Sequence, residues 1–68
     1  METYKERLKK ETEELMIKTN KLQDFMRTDT FYFLDRNKKD LLYKQLHAML
    51  DYLQVLGLRC ELEEIILF

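Results

Sequence analysis

The stretch from Leu41 to Leu56, LLYKQLHAMLDYLQVL, constrains this chain most. Leu42, Leu46, Met49, Leu53 and Leu56 recur at steps of four, three, four and three, the spacing of a helix that packs lengthwise on another helix. Leu41 and Leu50 flank that seam and widen it into the broad apolar face of a helix with more than one neighbour. The rest of the chain then reads as a partner for this helix, a turn leading into it, or an extension of it.

Residues 2–27 supply the partner. They contain no Gly or Pro and are dominated by Glu, Lys, Arg, Leu and Met, all good helix formers. Leu8, Thr12, Leu15, Thr19, Leu22 and Met26 form a matching seam, thinned by two threonines whose hydroxyls can bond to carbonyls one turn back. Beside it runs a mostly charged stripe: Tyr4, Arg7, Glu11, Glu14, Lys18, Lys21 and Phe25. Residues 28–35 form the connection, where Phe31, Tyr32 and Phe33 suit a hydrophobic plug at the closed end better than a lone strand. Asp35 reads as the N-cap of the second helix, with Asn37 followed by Asp40 as a competing cap two residues later. That helix is predicted over about 36–64, with Gly57 its one candidate break. Val55, Leu58, Leu62 and Ile65 carry an apolar stripe past Gly57 on a rotated face.

A chain of 68 residues makes one domain, and at this size only about 60% of the unfolded surface is buried, so extra burial is needed. Cys60 is the single cysteine, which excludes an intrachain disulfide and suits a reduced thiol. One His and one Cys without ligand spacing argue against a metal site. Self-association remains as the source of burial. Leu58, Leu62, Ile65, Ile66, Leu67 and Phe68 are too apolar to be left in water and are the candidate contact between copies. The predicted class is all-α: an antiparallel two-helix hairpin assembling into a homo-oligomeric bundle.

Charge narrows the partners. Residues 1–27 hold seven basic and six acidic side chains, residues 28–44 four and three, and residues 45–68 one and four. None of these segments has the positive bias that duplex nucleic acid demands. No apolar run is long enough to span a membrane, and METYKERLKKE lacks the apolar core of a signal peptide. The glutamates at 11, 13 and 14, and at 61, 63 and 64, read as solvated helix faces, and His47 as a boundary residue. No catalytic triad, phosphate loop or zinc spacing is present, so an enzyme is not expected, and no cofactor.

One constellation stands out. If the connection centres near residue 31 or 32, residue i lies roughly opposite residue 63 − i. Tyr4 then faces Arg59, Arg7 faces Leu56, and Glu11 faces Tyr52. Gln45, Ala48, Tyr52, Val55 and Arg59 also form one stripe, in which small Ala48 permits close approach. Tyrosine rings and guanidinium forks are the groups that stack on bases and grip phosphates. The alternative is that Arg7 and Arg59 pair with Glu11 while the tyrosines pack between subunits.

The same residues resemble a family. Tyr4, Arg7, Glu14, Leu15, Lys18, Lys21, Leu22 and Phe25, followed by Leu41, Leu42, Gln45, Leu46, Met49, Tyr52, Leu56 and Arg59, are similar to the pattern of short helical-hairpin proteins of tailed bacteriophages, crAss-like phages included. The resemblance covers residues 4–59 and departs beyond Arg59. It implies a phage origin, a helical hairpin and the cytoplasm of an infected bacterium. Small helical phage proteins of this outline include sponges that sequester nucleotide signals of CBASS and Thoeris immunity. By that analogy the expected partner is a cyclic nucleotide or an ADP-ribose derivative held between subunits, with Tyr4, Arg7, Lys18, Lys21, Tyr52 and Arg59 as the ligand-binding residues. The rival expectation is a protein-binding or structural homo-oligomeric module with no small ligand.

Overall fold

The computed structural model describes residues 3–68, and those residues form α1 (Tyr4–Phe25), a single turn α2 (Asp29–Tyr32) and α3 (Arg36–Leu62). Thr3 opens α1 through a capping box: its hydroxyl accepts the Glu6 amide while the Glu6 carboxylate accepts the Thr3 amide, satisfying two backbone donors at once. The expected start at residue 2 lies outside the described residues. At the other end α1 stops two residues earlier than the sequence suggests. Bonds from Arg27 to Asp24 and from Thr28 to Phe25 tighten the last turn. The Thr28 hydroxyl then donates to the Phe25 carbonyl at 2.6 Å and accepts the Phe31 amide. One side chain thus closes α1 and opens α2, which is why no glycine stop is needed.

The connection is helical, with no strand among the described residues. Of its three aromatics only Phe31 is the plug. It is buried and makes edge-on contacts to Phe25 and Tyr43, with ring centroids 6.1 and 5.7 Å apart. Tyr32 and Phe33 stay in solvent, Phe33 at 80% exposure. Asp35 then caps α3, its carboxylate accepting the Lys38 amide at 2.9 Å.

α1 and α3 pack along both expected seams. Leu8, Thr12 and Thr19 are buried on one side and Leu56 and Cys60 on the other, with Leu15, Leu42, Leu46 and Leu53 half-buried between them. The threonines behave as their sequence position suggests, donating to the Leu8 and Leu15 carbonyls at 2.7 Å each. Since the Thr12 proton is committed to Leu8, the buried Cys60 thiol is the donor in its 3.3 Å contact with Thr12 Oγ1. Leu41 and Leu50 do not join this core. Leu41 is 66% exposed in the protomer, because the hairpin offers α3 only one helical neighbour.

Gly57 does not break α3, which runs through it. The turn comes instead at Glu63 and Glu64. Ile65 N–H bonds to the Cys60 carbonyl at 2.9 Å and Glu64 N–H to the Glu61 carbonyl at 3.1 Å, with Glu64 at φ 57°. This is the reversal that usually takes glycine at the left-handed position. It sends the tail back over the hairpin, where Ile65 and Leu67 pack on the Leu8–Leu56–Cys60 cluster. The Phe68 amide donates to Glu13. Of the six residues read as a contact between copies, Ile65 and Leu67 are therefore used inside the chain. Leu58, Leu62, Ile66 and Phe68 remain exposed.

Three substitutions check this arrangement by thermal or urea melts. Leu56→Ala is expected to cost about 2–5 kcal/mol, the range for a fully buried leucine, whereas Phe33→Ala, exposed in the connection, should stay within about 0.5 kcal/mol. Glu64→Gly should stabilise by about 1 kcal/mol, because only glycine takes the left-handed conformation without strain. A destabilised Glu64→Gly variant would mean that the tail does not reverse there.

Candidate functional site

The capped start of α1 and the last turns of α3 meet at the open end of the hairpin. Two cross-helix pairs define the register there. Arg59 Nη2 donates to the Tyr4 hydroxyl at 2.8 Å, and its guanidinium carbon lies 5.9 Å from the Tyr4 ring centroid. Two helical turns farther from the open end, the Tyr52 hydroxyl donates to Glu11 Oε1 at 2.6 Å. Both pairs obey the 63 − i register expected from the hairpin. The partners within them differ from the alternative weighed above: Glu11 engages Tyr52 rather than either arginine.

Tyr4, Arg7, Leu8, Glu11 and Arg59 line a cleft of about 160 Å³ between the helices. Arg7 reaches it from the same face of α1 as Tyr4 and Glu11, since three and four residues carry a helix once around. The cleft holds two guanidinium groups against one carboxylate, and that carboxylate already accepts the Tyr52 proton. The bond to Tyr4 pushes the Arg59 pKa up and keeps the guanidinium charged. The bond to Glu11 raises the Tyr52 phenol above its ordinary value, helped by desolvation and the negative charge beside it. Enclosed ligand sites typically measure about 300–1,000 Å³. The cleft of one protomer fits a phosphate-sized group and is too small for a nucleotide.

The sequence of this hairpin can be placed. A family model described as Sequestin matches residues 2–62. The chain belongs to the Sequestin family. That name is consistent with a sequestering role, and the matched span includes every residue of the cleft. No curated protein and no solved structure matches the chain.

Within this Sequestin chain the six residues singled out from sequence do not all converge. Tyr4, Arg7 and Arg59 share the cleft, and Tyr52 adjoins it through Glu11. Lys18 and Lys21 lie on the same stripe of α1, but Lys18 is eleven residues from Arg7, roughly 16 Å along the axis. Glu11, which the sequence suggests lies on a solvated face, also lines the cleft. Its position opposite Tyr52 was the available signal, and its carboxylate holds that ring in place. Among the described residues no group of three or more His, Cys, Asp or Glu side chains could hold a metal ion. No helix of these residues is long and apolar enough to cross a membrane.

The Tyr52–Glu11 bond makes the site sensitive to alkali. The neutral phenol is favoured in the folded chain, so its contribution is complete below the unfolded pKa near 10. It is lost as pH rises through the raised folded value. Ultraviolet titration should show a phenol ionising above the ordinary tyrosine range near 10, and Glu11→Gln should bring it down toward that range. A titration of the unsubstituted chain with no such late phenol would contradict the contact.

Proposed function

We propose that this Sequestin-family chain is a non-enzymatic phage anti-defence protein that binds and sequesters a nucleotide immune signal inside the infected bacterium. The signal is of the cyclic oligonucleotide or ADP-ribose class, held between protomers of a homo-oligomer. The observation that carries this reading is the cleft itself: two guanidiniums and a tyrosine ring from opposite ends of the sequence, brought together at the open end. Guanidinium forks pair with phosphate oxygens, and an exposed tyrosine face stacks on a base. Sequestration is stoichiometric binding and asks for no reacting group. The family match supports a sequestering role, and the resemblance to phage hairpins supports the setting.

Self-association is part of the proposal for two reasons. The cleft of one protomer is smaller than a nucleotide, and the apolar residues buried among those described are only Leu8, Phe31, Leu56 and Cys60. A core that thin leaves a domain of this size marginal alone.

Calorimetric titration with a panel of cyclic dinucleotides, cyclic trinucleotides and ADP-ribose derivatives tests the reading. A charge-assisted contact to phosphate contributes about 1.5–3 kcal/mol, so Arg7→Ala and Arg59→Ala should each weaken binding roughly 10- to 150-fold. Added salt should weaken it further. Melting of both variants is followed in parallel, because Arg59 also holds Tyr4. No heat from any compound, with a macromolecular partner retained in native mass spectrometry instead, would replace the sponge by a protein-binding module.

A further inference from the structure

α3 carries two heptad seams, and the hairpin uses one. Leu42, Leu46, Met49, Leu53, Leu56 and Cys60 face α1. A second four-three series, Leu41, Gln45, Ala48, Tyr52, Val55 and Arg59, runs down a face about 100° away. In the protomer this face is exposed to solvent, Leu41, Tyr52 and Val55 with large side chains and Gln45, Ala48 and Arg59 beside them, and only the ends of Tyr52 and Arg59 reach across to Glu11 and Tyr4. A helix with two such seams is built to contact two helices.

The residue order on this second seam identifies its occupant as another copy of the chain. A two-fold axis level with residue 50 sets position 41 against 59, 45 against 55 and 48 against 52 of an antiparallel partner helix. Every pair then joins unlike groups, with small Ala48 against the large Tyr52 ring and the apolar Leu41 against the Arg59 stem. Parallel in-register pairing would instead set Arg59 on Arg59 and Ala48 on Ala48, a charge clash and a void. The seam also runs most of the length of α3, from 41 to 59 within Arg36–Leu62, so a partner helix would lie along about 27 Å of it.

Resting on the sequestering reading, we infer that two hairpins pair antiparallel through this second seam of α3, and that each ligand site is completed by Lys18 and Lys21 of the partner. On this side of the hairpin α1 and α3 keep the 63 − i register, so Lys18 sits level with Gln45 and Lys21 level with Leu42. The two-fold carries those levels to 55 and 58 of the other protomer, beside Val55 and Arg59. Arg7 and Arg59 of one chain thereby meet the partner's Lys18 and Lys21, while Tyr4 supplies the ring. Glu11 and Glu14 of both chains fall at the middle of the face, with Glu11 held by Tyr52. Four cations gather at each end of the dimer. The site takes a phosphate-bearing nucleotide of the signal class, two per dimer, and the ligand's negative charge holds the two basic ends together. This explains why the lysines share a stripe with Arg7 yet lie about three turns from it within one chain.

Cross-linking tests the pairing without any ligand. Gln45→Cys and Val55→Cys are both at exposed positions, and Cys60 is buried. Oxidation of an equimolar mixture of the two variants should give a disulfide dimer, while each variant alone should give little. Strong cross-linking of either variant alone overturns the antiparallel register, as does its absence from the mixture. Complementation tests the shared site, with whichever panel compound binds the unsubstituted protein as the probe. R7A/R59A and K18A/K21A should each lose at least about tenfold in affinity. Mixing and re-equilibrating them should restore about a quarter of the tight sites, because half the dimers are mixed and each of those holds one intact site. A mixture that stays as weak as its parents overturns the shared site. If no compound binds the unsubstituted protein, the sequestering reading and the site fall together, and the cross-link decides the pairing separately.

Discussion

The seam between α1 and α3 carries this structure, and its tightest point is where Thr12, Cys60 and Leu56 meet. Leu56 is fully buried and the Cys60 thiol lies against the Thr12 hydroxyl, so small side chains let the helices approach at the open end. Polar groups there cost nothing in unmet hydrogen bonds, since Thr12 and Thr19 return their protons to their own helix. Toward the closed end the seam passes to half-buried leucines and then to Phe31, wedged between Phe25 and Tyr43. A helix pair pinned at both ends has one register. Every cross-helix contact of the candidate site follows from it.

That register explains why the site sits where it does. Tyr4 and Arg59 are 55 positions apart in sequence and meet because the hairpin returns the chain to its start. Tyr52 and Glu11 meet by the same return. The second pair also engages Glu11, whose Oε1 accepts the Tyr52 proton while its charge still acts on Arg59. On the proposed reading, this small cationic cleft takes part of a phosphate-bearing ligand and the outer stripe of α3 brings a second copy to enclose the remainder.

The tail shows how a short chain manages scarce apolar surface. Its four apolar residues alternate between half-buried and exposed. Ile65 and Leu67 cover the open end of the core, and Ile66 and Phe68 face outward. The strain at Glu64 is tolerated because the reversal buries two large residues that would otherwise stay in water. Oligomer contacts, if they used this tail, would have only its outer side, whereas on the α3 stripe only the polar ends of Tyr52 and Arg59 are engaged by α1.

Both long helices, both seams and the cap at Asp35 were legible in the sequence, because they depend on local periodicity and on one side chain bonding to its own turn. The 63 − i register was legible too, since a short connection between two uninterrupted helices leaves little freedom of alignment. It placed Tyr4 against Arg59 and Glu11 against Tyr52. What only the tertiary structure decided were events in which distant groups compete. Which aromatic becomes the plug depends on the ring-sized gap between Phe25 and Tyr43. The reversal at Glu64 carries no glycine to announce it and is favoured by what Ile65 and Leu67 find on the far helix. The choice of Tyr52 over an arginine by Glu11 depends on where the hydroxyl lands, and helical periodicity brings the residues to the same level without fixing which of their atoms meet.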